Sequence, residues 1–381
     1  MRHKNLFLIF LIISSLLFSG CITVNEDEGE VFIAKPVDVS LISNYTGIDI
    51  DNIVTGVRIP PIPTRKSVPG FSYLESYSMI IAYLDESINT SDVFATAGLG
   101  MPTTCDTSLQ NLRPMQGNVA YTQIRSMKNY KLRWIVGYAE KSAPSQYVTD
   151  PYLEEAYGKI VYSTQDNASL KFLKAVLGTG RPVQVRLDLY YLENYNLKYQ
   201  NQPQYIYHYA IVTGYNETYI YVSETYNSED NVTEFKDMSI PIDKFMDAWS
   251  LDGDNYEDTE VKPYWMLFFE EKKGDKISKP SFSEIISTQK NLSKNIETDF
   301  DTYISKVNTG EYDVSDTNWD ELASVKQLFA EYLRKNTQND TADAYETLYQ
   351  DYHYCQENPN NIKQKLSEIK NHELTANLLI N

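Results

Sequence analysis

Strict alternation of apolar and polar residues marks the centre of this chain as β-structure. The run 182–189 has valine or leucine at every second position, and the runs 209–215 and 219–222 continue with aromatic and aliphatic residues. A two-residue period of this kind is typical of strands that bury one face. A short turn around Asn216 and Glu217 separates the last two runs, so we predict that they form an antiparallel hairpin.

Helical periodicity surrounds these strands on both sides. Upstream, we predict helices over 75–85, from 91 onward, over 120–130 and over 168–177, with a strand at 132–138. Downstream, we predict a short helix over 242–249 and a last strand at 264–269. An order in which helices come first and antiparallel strands come later indicates an α+β fold, with helices packed on an antiparallel sheet.

The charged segment 273–281, which contains Gly274 and Pro280, interrupts this pattern and is typical of a linker. Beyond it, we predict an all-α module of four helices, over 285–307, 319–333, 342–354 and 362–374, that folds on the preceding domain. The full predicted organisation is a lipoprotein signal peptide (1–20), an acidic tether and approach segment (21–55), an α+β domain (56–272), the linker (273–281) and the helical module (282–381).

His208 and Glu224 are the first candidate functional pair. His208 stands where one strand of the hairpin begins and Glu224 where the next strand ends, so both have the same parity and share a face of the sheet. Side chains in such positions lie roughly 4.5–8 Å apart at Cβ. A carboxylate there can hold one imidazole nitrogen and leave the other for chemistry. The spacing therefore predicts two members of a catalytic triad.

The sequence around this pair resembles a papain-like group of proteins. The resemblance rests on four features: the run Gly-x-Pro-Val, the segment DLYYL, the stretch HYAIVTGY and an acid sixteen residues after the histidine. They resemble the bacteriocin-leader-processing cysteine peptidases and the amino-terminal domain of butirosin biosynthesis protein H. The former cleave peptides, and the latter is associated with acyl transfer from a carrier protein. The resemblance implies a papain-like domain at 56–272 with a Cys-His-Asp site and a thioester-type intermediate.

The nucleophile departs from that family pattern. Aligning the first helix places Ser72 where the family has cysteine, no glutamine precedes Ser72 to bind an oxyanion, and Glu224 replaces the usual aspartate. If the site is active, Ser72 attacks a carbonyl, His208 transfers the proton and Glu224 orients His208. Ser72 with Glu75 also matches a capping box, which would satisfy the helix start without any chemistry. Cys105, in a Gly/Pro/Thr-rich loop, is the alternative nucleophile.

The amino terminus is typical of an exported lipoprotein. Three basic or titratable residues precede an apolar run at 6–18, which is too short to span a bilayer, and Ser19-Gly20-Cys21 resembles a lipobox. We expect cleavage before Cys21 and lipidation of its thiol, with the chain anchored to the outer face of the cytoplasmic membrane. An uncleaved anchor and a soluble secreted product are the alternatives.

Charge and composition narrow the classes of partner. The net charge of −18 becomes −20 when Arg2 and Lys4 leave with the signal peptide, so we expect no nucleic-acid binding. Seven tyrosines crowd the approach to His208 and suit a peptide or glycan groove, although an ordinary polar-rimmed core explains each of them too. They are Tyr190, Tyr191, Tyr195, Tyr199, Tyr205, Tyr207 and Tyr209.

Several smaller features complete the expectations. No phosphate-binding Gly-rich loop or metal-ligand spacing occurs, so we expect neither a cofactor nor a metal site. In an oxidising exterior Cys105 and Cys355 are able to pair, although separate buried thiols are favoured. Seven Asn-x-Ser/Thr sequons are candidate glycosylation sites. They are Asn44, Asn89, Asn167, Asn216, Asn231, Asn291 and Asn339.

Two functional hypotheses from different classes remain. In the first, this is an exported surface lipoprotein whose papain-like domain, degenerate or altered at its nucleophile, acts on peptide or acyl substrates. In the second, the same cleft binds a peptide or cell-surface polymer through its tyrosines without catalysis. A purely structural surface module is the third alternative.

Overall fold

The structure is a computed structural model that describes residues 37–38, 47–60, 62, 67–68, 70–115, 120–139, 158–163, 166–192, 207–225, 236–250 and 263–380. The predicted signal peptide and Cys21 lie outside these residues. Ala34–Asn381 forms one compact unit.

A mixed, largely antiparallel sheet runs through the first part of the chain. Its strands are β1 (Val37–Asp38), β2 (Val57–Arg58), β5 (Trp134–Ala139), β6 (Gly158–Ser163), β7 (Val183–Asp188), β8 (Tyr207–Tyr215), β9 (Tyr219–Ser223), β10 (Met238–Pro241) and β11 (Met266–Phe269). They are ordered β1-β6-β5-β11-β7-β8-β9-β10, with β2 also paired to β8. A separate small hairpin joins β3 (Thr104–Asp106) to β4 (Asn111–Arg113). The predicted strands β7, β8 and β9 are therefore neighbours at the centre of the sheet.

One end of the sheet departs from the expected antiparallel arrangement. Strand β6 pairs in parallel with β5, and β1 pairs in parallel with β6. The parallel partner of β5 lies beyond a long segment, and the alternation of apolar residues in 158–163 is too brief to predict a strand on its own.

Helices cover both faces of the sheet. The helices of this part are α1 (Ser72–Leu84), α2 (Thr90–Thr96), α3 (Ala120–Asn129), α4 (Asp166–Gly178) and α5 (Ile242–Ser250). The side chain of Gln184 on β7 reaches α1 on one face. Phe268 follows Leu267, the partner of Gln184, and therefore lies on the other face, where its ring packs 5.7 Å from that of Phe172 on α4.

The C-terminal region is helical, as predicted, but it contains five helices in the described residues rather than four. They are α6 (Phe282–Ser293), α7 (Ile296–Thr309), α8 (Trp319–Lys335), α9 (Asn339–Glu357) and α10 (Ile362–Leu379). The predicted helix over 285–307 is broken at Lys294 and Asn295. The apolar stripe continues across this break, with Ile285 on one side and Phe300 on the other both buried, so periodicity alone could not show it.

Side chains of the C-terminal helices form hydrogen bonds with the backbone of the segment that follows α2. Gln289 on α6 accepts a hydrogen bond from the backbone N–H of Met101 at 3.1 Å and donates to the carbonyls of Ala95 and Leu99, each at 2.8 Å. Lys326 on α8 donates to the carbonyl of Gly100 at 2.8 Å. Both side chains are completely buried. The two parts of the chain are thus joined by buried polar contacts as well as by apolar packing.

Candidate active site

The structure brings His208 and Glu224 together. His208 is the second residue of β8 and is opposite Leu187 of β7, while Glu224 follows the last residue of β9. Nε2 of His208 forms a short hydrogen bond with Oε2 of Glu224. The side chain of His208 is 14 % exposed and that of Glu224 is 0 % exposed. The acid therefore lies beneath an imidazole that reaches the surface.

This contact determines which imidazole nitrogen is available. With the Nε2 proton directed at the carboxylate, Nδ1 is left as a proton acceptor. Within the part of the chain that the structure describes, His208 makes no other hydrogen bond or ion pair. A buried acid in this position is able to hold an imidazole in one tautomer.

Ser72 does not serve as the predicted helix cap. It is the first residue of α1, and the capping position before it is occupied by Phe71, which makes no side-chain cap. Glu75 does not turn back toward the helix start but is buried, and Oε2 of its carboxylate accepts a hydrogen bond from Thr225 at 3.4 Å. The capping-box interpretation of Ser72 and Glu75 is therefore wrong, because burial draws the acid toward the sheet.

The Ser72 side chain is instead half-buried and does not cap the helix. Among the described residues its hydroxyl has no hydrogen-bond partner, although its carbonyl accepts a hydrogen bond from Ser76 Oγ at 2.8 Å. The first amides of α1 that take part in backbone hydrogen bonds are those of Leu74 and Glu75, both to the carbonyl of Phe71. The first turn of a helix leaves its backbone N–H groups without intrahelical partners, so we expect those of Ser72 and Tyr73 to be donors at this helix start.

The start of α1 lies beside the strand that carries His208. The ring of Tyr73, next to Ser72, is 6.1 Å from the ring of Tyr209, next to His208. Tyr209 also packs edge-on against Trp265 at 5.5 Å. Tyr209 therefore faces α1, as does Gln184, whose strand partner Ile211 has the same parity as Tyr209. His208 has the opposite parity and points to the other face of the sheet, as does Glu224. The structure thus brings His208 and Glu224 together, but among the described residues no hydrogen bond joins His208 to Ser72.

A buried pair of glutamines holds this junction in place, and the sequence did not reveal it. Gln184 on β7 donates through Nε2 to the carbonyl of Tyr73 at 2.6 Å and to Ser76 Oγ at 2.7 Å. Its Oε1 accepts a hydrogen bond from Gln123 on α3 at 2.7 Å. Both amides are completely buried. The only signal in the sequence was a glutamine at a core position of a strand.

Cys105 does not have the properties of a nucleophile. It lies in strand β3 rather than in a loop, and burial, followed by the charges of Asp299 and Asp106, raises its pKa to about 11. Burial likewise raises the pKa of Cys355 to about 12. Both thiols are free, as the alternative of separate cysteines required. A thiolate is disfavoured at either position.

The tyrosines near His208 do not form an open groove where the structure describes them. Tyr209 is packed between Tyr73 and Trp265, whereas Tyr190 is 39 % exposed and meets Tyr191 edge-on at 5.5 Å. Tyr195, Tyr199, Tyr205 and the side chain of Tyr207 lie outside the described residues.

The sequons fall into different environments. Asn89 caps α2 and accepts a hydrogen bond from the N–H of Asp92 at 3.0 Å. Asn216 was expected to be exposed, but it is half-buried and its amide donates to Tyr221 Oη at 2.7 Å. Asn291 and Asn339 are exposed on helices. Asn44, Asn231 and the side chain of Asn167 lie outside the described residues.

Within the described residues, one cluster of two acids and a histidine has ligand atoms close enough together to bind a cation. Ligand atoms of Asp351, Glu368 and His372 lie within 4.8 Å of one another. The ammonium of Lys365 is 3.0 Å from Asp351 and 2.6 Å from Glu368, and His372 Nδ1 is 2.5 Å from Asp351. The ammonium of Lys365 balances part of the charge of these acids and His372 is hydrogen-bonded to Asp351, so the contacts within the cluster are already satisfied by its own members.

Comparisons with known proteins give a limited likeness. No protein-family model matches the chain, and no curated protein matches it in sequence. A Bacillus anthracis protein, whose crystal structure is described as that of a C39-like peptidase, is 12 % identical, and the match covers 56 % of this chain and 96 % of that protein, with a TM-score of 0.33. In the described part of the chain, no helix combines the length and apolar character needed to cross a bilayer.

Proposed function

We propose that this chain is an exported, lipid-anchored surface protein whose papain-like domain hydrolyses or transfers acyl groups of peptide-like substrates, with Ser72 as nucleophile. The contact between His208 and the buried Glu224 is the observation that supports this proposal most strongly. A buried carboxylate that holds one nitrogen of a surface-reaching imidazole has a direct use in proton transfer.

Each group has a defined part in the reaction. Ser72 Oγ forms a bond to the substrate carbonyl carbon while its proton passes to His208 Nδ1, and Glu224 stabilises the imidazolium through Nε2. Backbone N–H groups of the first turn of α1, those of Ser72 and Tyr73, supply the donors for the developing oxyanion. The proton then moves from Nδ1 to the leaving group as its bond to carbon breaks. Water or an acceptor amine releases the acyl group from Ser72.

The location of this reaction follows from the amino terminus. Cleavage before Cys21 and lipidation of its thiol would place the domain outside the cytoplasmic membrane, on the acidic tether 22–55. Metabolic labelling with a fatty acid tests this directly, since a Cys21→Ser variant should incorporate no label.

The catalytic proposal is tested by covalent labelling with a fluorophosphonate probe. Wild type should be labelled on Ser72, Ser72→Ala should not, and Glu224→Gln should slow labelling by about 100-fold, as expected for loss of general-base assistance. Ser283→Ala is the matched control, because Ser283 is an exposed serine in the first turn of α6.

A Ser72→Cys variant separates an altered site from an inert one. If a thiol-directed probe labels this variant rapidly while the wild type reacts with neither probe, the site is a decayed cysteine site. Absence of labelling in both proteins would overturn the catalytic proposal and leave the binding function as the explanation of the domain.

A further inference from the structure

The helical region reaches the start of α1 through Glu321. This residue lies in the first turn of α8, and its carboxylate Oε2 would be 3.1 Å from a Cβ atom placed on Gly70. Gly70 has a φ of +79° and stands two residues before Ser72. A carboxylate from the C-terminal part of the chain is therefore packed against the backbone that leads into the candidate nucleophile.

Glu321 is electrostatically unsatisfied in this position. It is half-buried, and its side chain makes neither a hydrogen bond nor an ion pair with any residue that the structure describes. Burial raises its pKa, and the charge of Arg113 offsets this effect only in part. The guanidinium of Arg113 is itself bonded to Asp106, at 3.3 Å. A carboxylate that has lost water without gaining a partner is stabilised by any cation that can approach it.

The position of Glu321 relates it to the start of α1, which carries the candidate nucleophile Ser72. Its charge acts on Tyr73, where it adds to the effect of burial in raising the pKa of the phenol. The ring of Tyr73 contacts Tyr209, the neighbour of His208. Tyr73 therefore lies between the acid of the helical region and the strand that carries the imidazole.

We propose that Glu321 determines substrate specificity by binding a cationic group, an amine or guanidinium, of the peptide substrate. This inference rests on the proposed function, since it assigns a substrate class to the same site. An ammonium placed against Glu321 would restore the interactions that burial removed from the carboxylate. The net charge of −18 favours the approach of such a substrate. The helical region would then be part of the binding site and not only a neighbour of it.

Binding of two matched peptides by the full mature chain tests the inference. The probes are acetyl-Ala-Lys-Ala-amide and the same peptide with norleucine in place of lysine, measured by NMR titration at low salt. Wild type should bind the lysine peptide about tenfold more tightly, because only the ammonium can form a charge-assisted hydrogen bond with the Glu321 carboxylate. Glu321→Gln should abolish this difference. Asp320→Asn, which removes the same charge from the neighbouring position of α8, should retain it.

The outcomes separate this inference from the catalytic proposal. Equal affinity of wild type for the two peptides, no binding of either, or a lysine preference that survives in Glu321→Gln would overturn it. Fluorophosphonate labelling of Ser72 is measured on the same samples. Lysine preference without labelling would support the role of Glu321 and overturn the catalytic proposal. Labelling without lysine preference would support the catalytic proposal and overturn the role of Glu321.

Discussion

Gln184 has an unusual place for an amide side chain, because it stands at a fully buried position of a central strand. All of its polar atoms are used: the nitrogen donates to Tyr73 and Ser76, and the oxygen accepts from Gln123. A buried amide with every partner present holds its neighbours in one geometry, whereas a missing partner leaves the others unsatisfied. Gln184 therefore positions the start of α1 against the sheet.

Replacing Gln184 by methionine should be destabilising although the volume is conserved. The substitution removes the buried hydrogen bonds that join Gln184 to Gln123, to the Tyr73 carbonyl and to Ser76, and we expect a loss of about 2–4 kcal/mol in the free energy of unfolding. Urea denaturation measures this loss. Gln364→Met, at an exposed position of α10, should change stability by less than about 0.5 kcal/mol. Equal stability of the two variants would contradict the positioning role.

Local spacing predicted part of the site, and long-range packing supplied the rest. The parity of His208 and Glu224 follows from a single hairpin, so the sequence was sufficient to predict their contact. Glu321 and Gln184 come to the start of α1 from 249 and 112 residues after Ser72 in the sequence. No local pattern encodes such approaches. The Ser72–Glu75 capping box failed for a related reason, since tertiary burial overrode a correct local signal.

At the scale of elements, strong periodicity was predictive and weak periodicity was not. Strands β7, β8 and β9 and helices α4, α5 and α8 were predicted to within a few residues because their buried positions recur regularly. The hairpin of β3 and β4 has strands of only three residues, which is too short for a period to show. The break between α6 and α7 was missed because both helices bury the same stripe. Pairing partners, including the parallel β5–β6 pair, are set by the fold as a whole.

The end of α1 is joined to the connector before α6 by two ion pairs, Lys279 with Asp85 and Lys273 with Glu86, and the first of them is the shorter. Asp85 follows α1, and its carboxylate is 2.8 Å from the ammonium of Lys279. Hydrogen bonds from Lys279 and then from Ser87 lower the pKa of Asp85 to about 2 from 3.8. A lowered pKa means that the folded state favours the charged form, so the contribution is complete above 3.8 and is lost as the pH falls toward 2.

An Asp85→Asn variant should therefore differ from wild type in a pH-dependent way. Because Lys279 is about half exposed, we expect only about 1 kcal/mol of destabilisation at pH 6, falling to nearly zero at pH 2. Urea denaturation at a series of pH values gives the comparison. Asp247→Asn, which removes an exposed acid paired with Lys244 within α5, is the control. A constant difference between pH 6 and pH 2 would contradict the assignment.

At the scale of the whole molecule, a buried charge pair joins the two parts of the chain. The ammonium of Lys326 lies 2.8 Å from Glu373 Oε1, and both side chains are 0 % exposed. Glu373 also accepts hydrogen bonds from Thr103 at 2.7 Å and from Tyr352 at 2.6 Å. Burial lowers the pKa of Lys326, and Glu373 opposes that effect. The pair is compensated only while every member is present.

Loss of the Lys326 charge should be among the most destabilising single changes in the helical region. Lys326→Met leaves Glu373 as an uncompensated buried acid, and we expect about 3–5 kcal/mol of destabilisation by urea denaturation. Adding Glu373→Gln should recover part of this loss, since the buried charge is then removed. Lys335→Met, which breaks a half-exposed contact with Asp92, should cost less than about 1 kcal/mol. Similar losses in both lysine variants would argue against the pair.

The hydrogen bond between Thr103 and Glu373 also has a consequence in time. Its partners are separated by 270 residues, so a ribosome has nearly finished the chain before the second partner exists. Until α10 emerges, the loop after α2 carries polar groups whose final acceptors have not been synthesised. We expect that the amino-terminal half stays incompletely ordered until α10 is synthesised. The packing of the C-terminal helices against it is then a late and slow step of folding. A premature stop before α10 would then disable the region around Ser72 as surely as a change within it.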